Sequence, residues 1–293
     1  MQNTTQKTFN TVAIVGKYMN ITALLEMQDD LITLAKHLTD QQYTVVIEAN
    51  TAKECNMTDY QSFALDAIGE VADLAIVMGG DGTMLSVARN LVEADVPMVG
   101  INRGRFGFLT DLRSEDMLVS IDAMLAGHYI AEPRMLLQAD VIREGQKILS
   151  GIALNDVVIK SDIRLIELEV RIDQMLVYSQ RSDGLIVSTP TGTTAYSLSA
   201  GGPILHPNLH AITLVPICPH TLSNRPITVH SSSDIKITIM QFDGAQVSLD
   251  GQSYMALALG DTISIKRAPK AITLLHPEGY CYFDMLRNKL NWG

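Results

Sequence analysis

Residues 77–89, VMGGDGTMLSVAR, place three glycines and one aspartate between an apolar run and a helical pattern. Loops that cradle phosphate usually carry a lysine; this one carries Asp81. Gly79, Gly80 and Gly82 permit positive φ and let a ligand approach the backbone without meeting a Cβ. The amides after Gly82 open a helix, which makes an anion site. Among them Asp81, an acceptor-only carboxylate, could take the proton of a sugar hydroxyl or hold that hydroxyl in line for attack. The same residues also read as a tight strand-to-helix turn with Asp81 as the helix cap. The stretch is not a GxxxxGK[ST] loop, and the chain contains no GxGxxG.

Three further stretches could carry chemistry. GINRGRFGFLTD, residues 100–111, ends an apolar run and holds Arg103 and Arg105. These could neutralise an anion beside Asp81 or stand as ordinary surface arginines. LNDVVIK sets Asn155 and Asp156 inside a strand pattern, where neighbours point to opposite faces. One of the two therefore points inward and needs a polar partner. Residues 179–204, SQRSDGLIVSTPTGTTAYSLSAGGPI, carry Arg181 and Asp183, then a strand, then five hydroxyl side chains between Thr189 and Ser197, with Tyr196 and a second Gly-Gly. Threonine hydroxyls, open amides and an aromatic ring can together hold a base, a ribose and phosphates. A Thr-capped helix after a strand would explain one hydroxyl, not this whole composition. His206 and His210 are four apart, but Pro207 interrupts the turn and no further ligand is near, which argues against a metal site. No GxSxG elbow is present.

The elements that must position these residues fall into two halves. TVAIVGK, YTVVIEA, ADLAIVM and VPMVGIN are apolar runs with little polar alternation, as strands buried on both faces are. Leu24, Met27, Leu31, Leu34, Ala35 and Leu38 recur at helical spacing between the first two. This β-α-β order predicts a Rossmann-like parallel-sheet domain over residues 1–133. Beyond Pro133 the period becomes two: Ile166, Leu168, Val170 and Ile172 alternate with Glu167, Glu169, Arg171 and Asp173. MLLQADVIR, GIALNDVVIK, LHAITLVPI, RPITVH, DIKITIM, AQVSLDG, DTISIKR and AITLLHP continue as short strands between polar turns. They predict an all-β, β-sandwich-like domain over 134–276. YFDMLRNKLNWG reads as a helix, a tail over 277–293 that returns to the first domain.

The bulk composition fits. A length of 293 residues suits two domains, and 47% hydrophobic with 18% charged residues supports sizeable cores. A formal charge of −10 argues against non-specific nucleic-acid binding. It also requires that any anionic ligand be met by local cations, helix N-termini or a metal ion. Three widely spaced cysteines make neither a disulfide framework nor a zinc ribbon. The polar start MQNTTQKTFN is unlike a signal peptide, and no apolar run reaches the roughly 18 residues of a membrane span. A cytoplasmic protein without a membrane partner is expected.

Together GGDGTML, GINRGRFGFLTD, LNDVVI, RSDGLIVSTPTGTTAYSLSAGGP and LDGQ resemble the NAD kinase family in order and spacing. The resemblance covers nearly the whole chain and is greatest to the bacterial enzymes of Gram-negative type. It implies ATP-dependent phosphorylation of the adenosine 2′-hydroxyl of NAD to give NADP, with Asp81 as proton acceptor. The donor's phosphates would rest on Gly79, Gly80, Thr83, Arg103, Arg105 and Mg²⁺, with no protein ligand implied for the metal. The family's NAD contacts fall on Asp81, Gly82, Asn155, Asp156, Arg164, Arg181, Asp183, Thr194, Ala195, Tyr196, Ser197, Leu198, Ser199 and Gln252. Thr83 and Asp156 stand where Asn and Glu are commoner in the family. Arg181 goes with a preference for NAD over NADH. The resemblance also implies an α/β domain and an all-β domain with NAD bound between them, and a homodimer or homotetramer. GGDG alone would also suit a lipid or sugar kinase; the chain has no amphipathic membrane-binding stretch, and the long threonine block has no lipid-kinase counterpart. A dinucleotide sensor without chemistry is the other alternative, which the intact Asp81 opposes.

Overall fold

The computed structural model describes residues 9–16, 21–102, 107–161, 163–221, 223–241 and 244–292, with the backbone alone at 21–26. The chain divides into two units, Met1–Pro133 with Ile272–Gly293, and Arg134–Ala271.

In the first unit strands and helices alternate. They are β1 (Thr11–Gly16), α1 (Ile21–Asp40), β2 (Thr44–Glu48), α2 (Ala49–Glu54), β3 (Gln61–Phe63), β4 (Leu74–Met78), α3 (Asp81–Leu91), β5 (Met98–Asn102), β6 (Leu112–Arg113) and α4 (Met117–Leu125). The strands lie parallel in the order β5-β4-β1-β2-β3, with β6 beside β5. All five residues of β4 are buried, as a strand covered on both faces requires. In α1, Leu31, Leu34, Ala35 and Leu38 are fully buried against the strands. Burying each leucine contributes roughly 1.5–3 kcal/mol. That outweighs the few tenths that Thr33 and Thr39 cost in helix propensity. From β1 the chain builds outward through β2 and β3, then resumes on the other side of β1 with β4 and β5. The carboxyl ends of β1 and β4 therefore form the topological switch point, where open α/β sheets bind ligands. Gly16 ends one of these strands and Gly79 follows the other.

The second unit is antiparallel. The chain continues as β7 (Tyr129–Arg143), β8 (Gln146–Ala153), β9 (Asp156–Ser161), β10 (Ile166–Ile172), β11 (Met175–Ser182), β12 (Gly184–Ser188), α5 (Tyr196–Ser199), β13 (Ala211–Ile217), β14 (Ile227–His230), β15 (Ile235–Gln241), β16 (Ala245–Leu249), β17 (Ser253–Ala256), β18 (Thr262–Pro277) and α6 (Tyr282–Leu290). One layer has the order β14-β13-β12-β9-β16-β17; β11-β10-β15-β18 run through the other. Val157, Leu185 and Val247 from the first layer share one core with Leu168, Ile237 and Ile263 from the second, the packing of a β-sandwich. The alternation in β10 is regular, its apolar positions buried and its charged ones half-exposed.

Three expectations needed correction. GIALNDVVIK is two strands, β8 and β9, parted where Asp250 takes up the backbone amides of residues 154–156. DTISIKR and AITLLHP are one strand, β18, which pairs Ile265 with Ile235 in the second unit and Leu274 with Met98 in the first. Because that strand is continuous, the chain rejoins the first unit from Ile272 rather than from 277. The tail is helical as α6, and ends where Asn291 takes the left-handed conformation (φ 53°). Among the described residues no helix is long and apolar enough to cross a membrane.

Candidate active site

In the first unit Asp81 is the first residue of α3, and Gly80 in extended conformation is its N-cap. None of Gly79, Gly80 and Gly82 uses positive φ, contrary to the expectation from the sequence. The glycine at position 80 serves by leaving open space, since a Cβ there would meet nothing within 4 Å. The amide of Gly79 is committed to the sheet, donating to the Ile101 carbonyl at 3.0 Å. The amide of Thr83 closes the first turn on the Gly80 carbonyl at 2.9 Å, and its side chain is buried. Gly80 and Gly82 of the loop are exposed. A cavity of about 320 Å³ beside it is lined by Gly16, Glu48, Asn50, Thr83 and Ser86.

Asp81 is not the helix cap, a position that Gly80 fills. Instead Oδ2 accepts the Phe108 amide at 2.8 Å and Oδ1 the Leu109 amide at 3.0 Å. Gly107 must be glycine here, because a Cβ on it would fall on the Asp81 carboxyl group. Burial pushes the Asp81 carboxyl above the usual carboxylate range. The two amides and then the Lys289 charge pull it back, while Asp111 adds to the rise. Asp111, two residues after Leu109, is held by the buried His276. That ring bonds through Nδ1 to Asp111 and through Nε2 to Glu132 at 3.2 Å, with the Tyr280 ring stacked on it at 3.9 Å.

In the second unit Asp250, in left-handed conformation at φ 52°, folds its carboxylate over the break between β8 and β9. Oδ2 accepts the Leu154 amide at 3.0 Å; Oδ1 accepts those of Asn155 at 2.8 Å and Asp156 at 3.2 Å. The inward member of the Asn-Asp pair is Asp156, only 4% exposed. Burial first, and the Asp250 charge second, push its carboxyl up to about 7. Asn155 is half-buried, and its carbonyl accepts the Thr189 amide at 2.9 Å.

The hydroxyls of the threonine block also bond within the protein. Most of its hydroxyls hold the block itself together. Thr189 donates to the Leu154 carbonyl at 2.6 Å, Thr193 to Pro190 at 2.6 Å and Thr194 to Thr191 at 3.1 Å. The Thr191 hydroxyl accepts from the buried Arg134 guanidinium at 3.3 Å. The surface this scaffold presents is the turn of α5, where Tyr196 and Ser199 are exposed. Ser197 is fully buried, and its Oγ has no hydrogen-bond partner among the described residues.

Beside this turn lies a cavity of about 490 Å³ lined by Lys160, Ser161, Arg164, Asp183, Tyr196 and Ile217. It brings together Arg164, Asp183 and Tyr196, three residues singled out from the sequence. Arg181 is exposed on β11 and is not in that lining. Gln252 is exposed in the turn after Asp250. Arg103 and Arg105 lie outside the described residues. Sequence reasoning missed Lys160, Ser161, Arg134, Asp250 and Lys289. For Asp250 a signal existed, since it opens the DGQ turn; for the others nothing local distinguishes them from ordinary strand and helix residues.

Residues 11–129 match the model of the ATP-NAD kinase N-terminal domain, and residues 154–276 that of the ATP-NAD kinase C-terminal domain. A relative from Thiobacillus denitrificans, an NAD kinase, is 48% identical over 287 residues, covering 97% of this chain and 98% of its own. Yeast NADH kinase, solved with NADH, superposes with a TM-score of 0.85 at 25% identity, over 97% of this chain and 87% of its own. An NAD kinase from Archaeoglobus fulgidus, solved with ATP, shares the fold with a TM-score of 0.75 at 24% identity, over 97% of this chain and 100% of its own.

Proposed function

The chain belongs to the ATP-NAD kinase family, and from that premise we propose that it transfers the γ-phosphate of ATP to the adenosine 2′-hydroxyl of NAD, giving NADP, with Asp81 as the proton acceptor. The observation that carries the role of Asp81 is its carboxylate, held at the sheet's switch point by two backbone amides. A carboxylate has about four acceptor positions. The amides fill two and fix the group's orientation, which leaves capacity for a hydroxyl proton. Its raised pKa brings it nearer to operating pH, which favours proton transfer in general base catalysis.

Phosphoryl transfer asks little covalent chemistry of a protein; placement and charge neutralisation dominate. On this reading the donor's phosphates lie over Gly80 and Gly82, at the opening of α3, whose N-terminus favours anions. Among the described residues no group of three or more His, Cys, Asp or Glu side chains could hold a metal. A Mg²⁺ ion bound with the donor's phosphates would neutralise charge on the transferred group. NAD is held by Asn155, Asp156, Arg164, Asp183, Gln252, Arg181 and the turn 194–199. A neutral Asp156 can donate a hydrogen bond to a ribose oxygen as well as accept one. Family membership further supports a cytoplasmic homodimer or homotetramer, which sedimentation of the purified chain would distinguish.

The test is to incubate the purified chain with NAD, ATP and Mg²⁺ and to read NADP with an NADP-specific dehydrogenase, with Asp81→Asn beside it. NADP from the wild type is expected, with turnover at least about a hundredfold lower in the variant, the scale on which a general base acts. Near-normal turnover in Asp81→Asn would remove its catalytic role; an absence of NADP from the wild type would overturn the reaction itself.

A further inference from the structure

The Gly-Gly-Asp-Gly loop has no lysine of its own, but the fold supplies one from the other end of the chain. Lys289 stands in the last turn of α6, with its Nζ 6.0 Å from the ring centroid of Phe108, the residue whose amide holds Asp81 Oδ2. It lines a cavity of about 180 Å³ together with Gly107, Asp111, Tyr280, Cys281 and Asp284. We propose that Lys289 is a positioning residue for the phosphoryl transfer: its ammonium balances the Asp81 carboxylate and, through the Phe108 ring, steadies the 107–109 loop that orients it. The proposal rests on Asp81 as the proton acceptor.

Two observations support it beyond proximity. The charge of Lys289 acts on Asp81 against the opposing effects of burial and of Asp111, so it favours the ionised form a base must have. An ammonium at about 6 Å from an aromatic face is also at the reach of a cation–π contact. The bland account is that Lys289 complements the helix dipole in a last turn, as cations do. That account predicts an effect on stability and none on the titration of turnover.

The experiment is the pH profile of kcat/KM for NAD in the wild type, Lys289→Met, Lys289→Gln and Lys289→Arg, with melting temperatures alongside. Methionine keeps the apolar stem, and glutamine is a second neutral variant should methionine fail to fold. Removing the positive charge raises the Asp81 pKa, so the acid limb should move to higher pH in the neutral variants and return in Lys289→Arg. An acid limb that superposes on the wild type in a folded neutral variant overturns the proposal. So does a loss of turnover of equal size at every pH, since that marks a structural role. Asp81→Asn separates the two readings. If it turns over normally, the Asp81 assignment has failed; if it is inactive while the Lys289 limbs are unmoved, only the role of Lys289 has.

Discussion

Asp156 should make the chain less stable as the pH rises from about 4 to about 7, and Asp156→Asn should abolish that loss. The side chain is 4% exposed, and its carboxyl sits at about 7 in the folded chain against 3.8 when unperturbed. Between those values the folded state holds a proton that the unfolded state has released. Stability from this group is therefore fully present below 3.8 and declines as pH climbs through the folded value. At about 1.36 kcal/mol per pH unit, the whole span is worth roughly 4 kcal/mol. Asparagine has the same shape and no proton to lose. It should match the wild type near pH 4 and exceed it by up to about 4 kcal/mol at pH 8. Urea denaturation of both proteins at intervals between pH 4 and 8 measures this directly. In a melt the gap at pH 8 should be on the order of ten degrees for a unit of this size. Asp140 and Asp261, whose carboxyls are held below the usual range, lose their contribution only as pH falls and so titrate outside this window. Parallel stability profiles for the two proteins, or an asparagine variant weaker at every pH, would refute the reasoning.

Two further outcomes follow from the geometry around the same residues. Gly192→Ala should cost on the order of 1–3 kcal/mol in urea, because the new Cβ would meet the Asn155 carbonyl, which is backbone and cannot swing aside. Arg164→Ala should raise KM for NAD by roughly ten- to a hundredfold, the scale of a charged hydrogen bond, with little change in melting temperature, since the side chain lines the cavity rather than a core. An unchanged KM would remove Arg164 from the NAD contacts.

The architecture was legible because it is set by burial, and burial writes a period into the sequence. The unbroken apolar run of β4 and the strict alternation of β10 each allow one reading. One difference came where a distant side chain overrode the local pattern. GIALNDVVIK is apolar enough for one strand, and only the Asp250 carboxylate, about a hundred residues later, parts it into two by taking up the amides a longer strand would need. The helix-cap alternative for Asp81 fails for the same reason. The rule concerns neighbours in the chain, whereas the amides that satisfy this carboxylate belong to Phe108 and Leu109.

The threonine block shows what else such a composition does for the fold. Its hydroxyls suggested direct contacts, yet three of them close on carbonyls of the block or of the neighbouring strand end. A loop of Pro, Gly and Thr leaves many carbonyls without sheet partners, and a buried carbonyl without a donor is costly. Threonine at short intervals meets that need from within. It forms a platform held from within that exposes Tyr196 and Ser199, and the buried Ser197 hydroxyl has no partner among the described residues. The same logic applies to Asp250, whose carboxylate takes up three backbone amides beside the buried Asp156. Both devices fix backbone first and expose few polar groups afterwards. For a reaction whose catalysis is mostly placement, that division of labour is the one to expect.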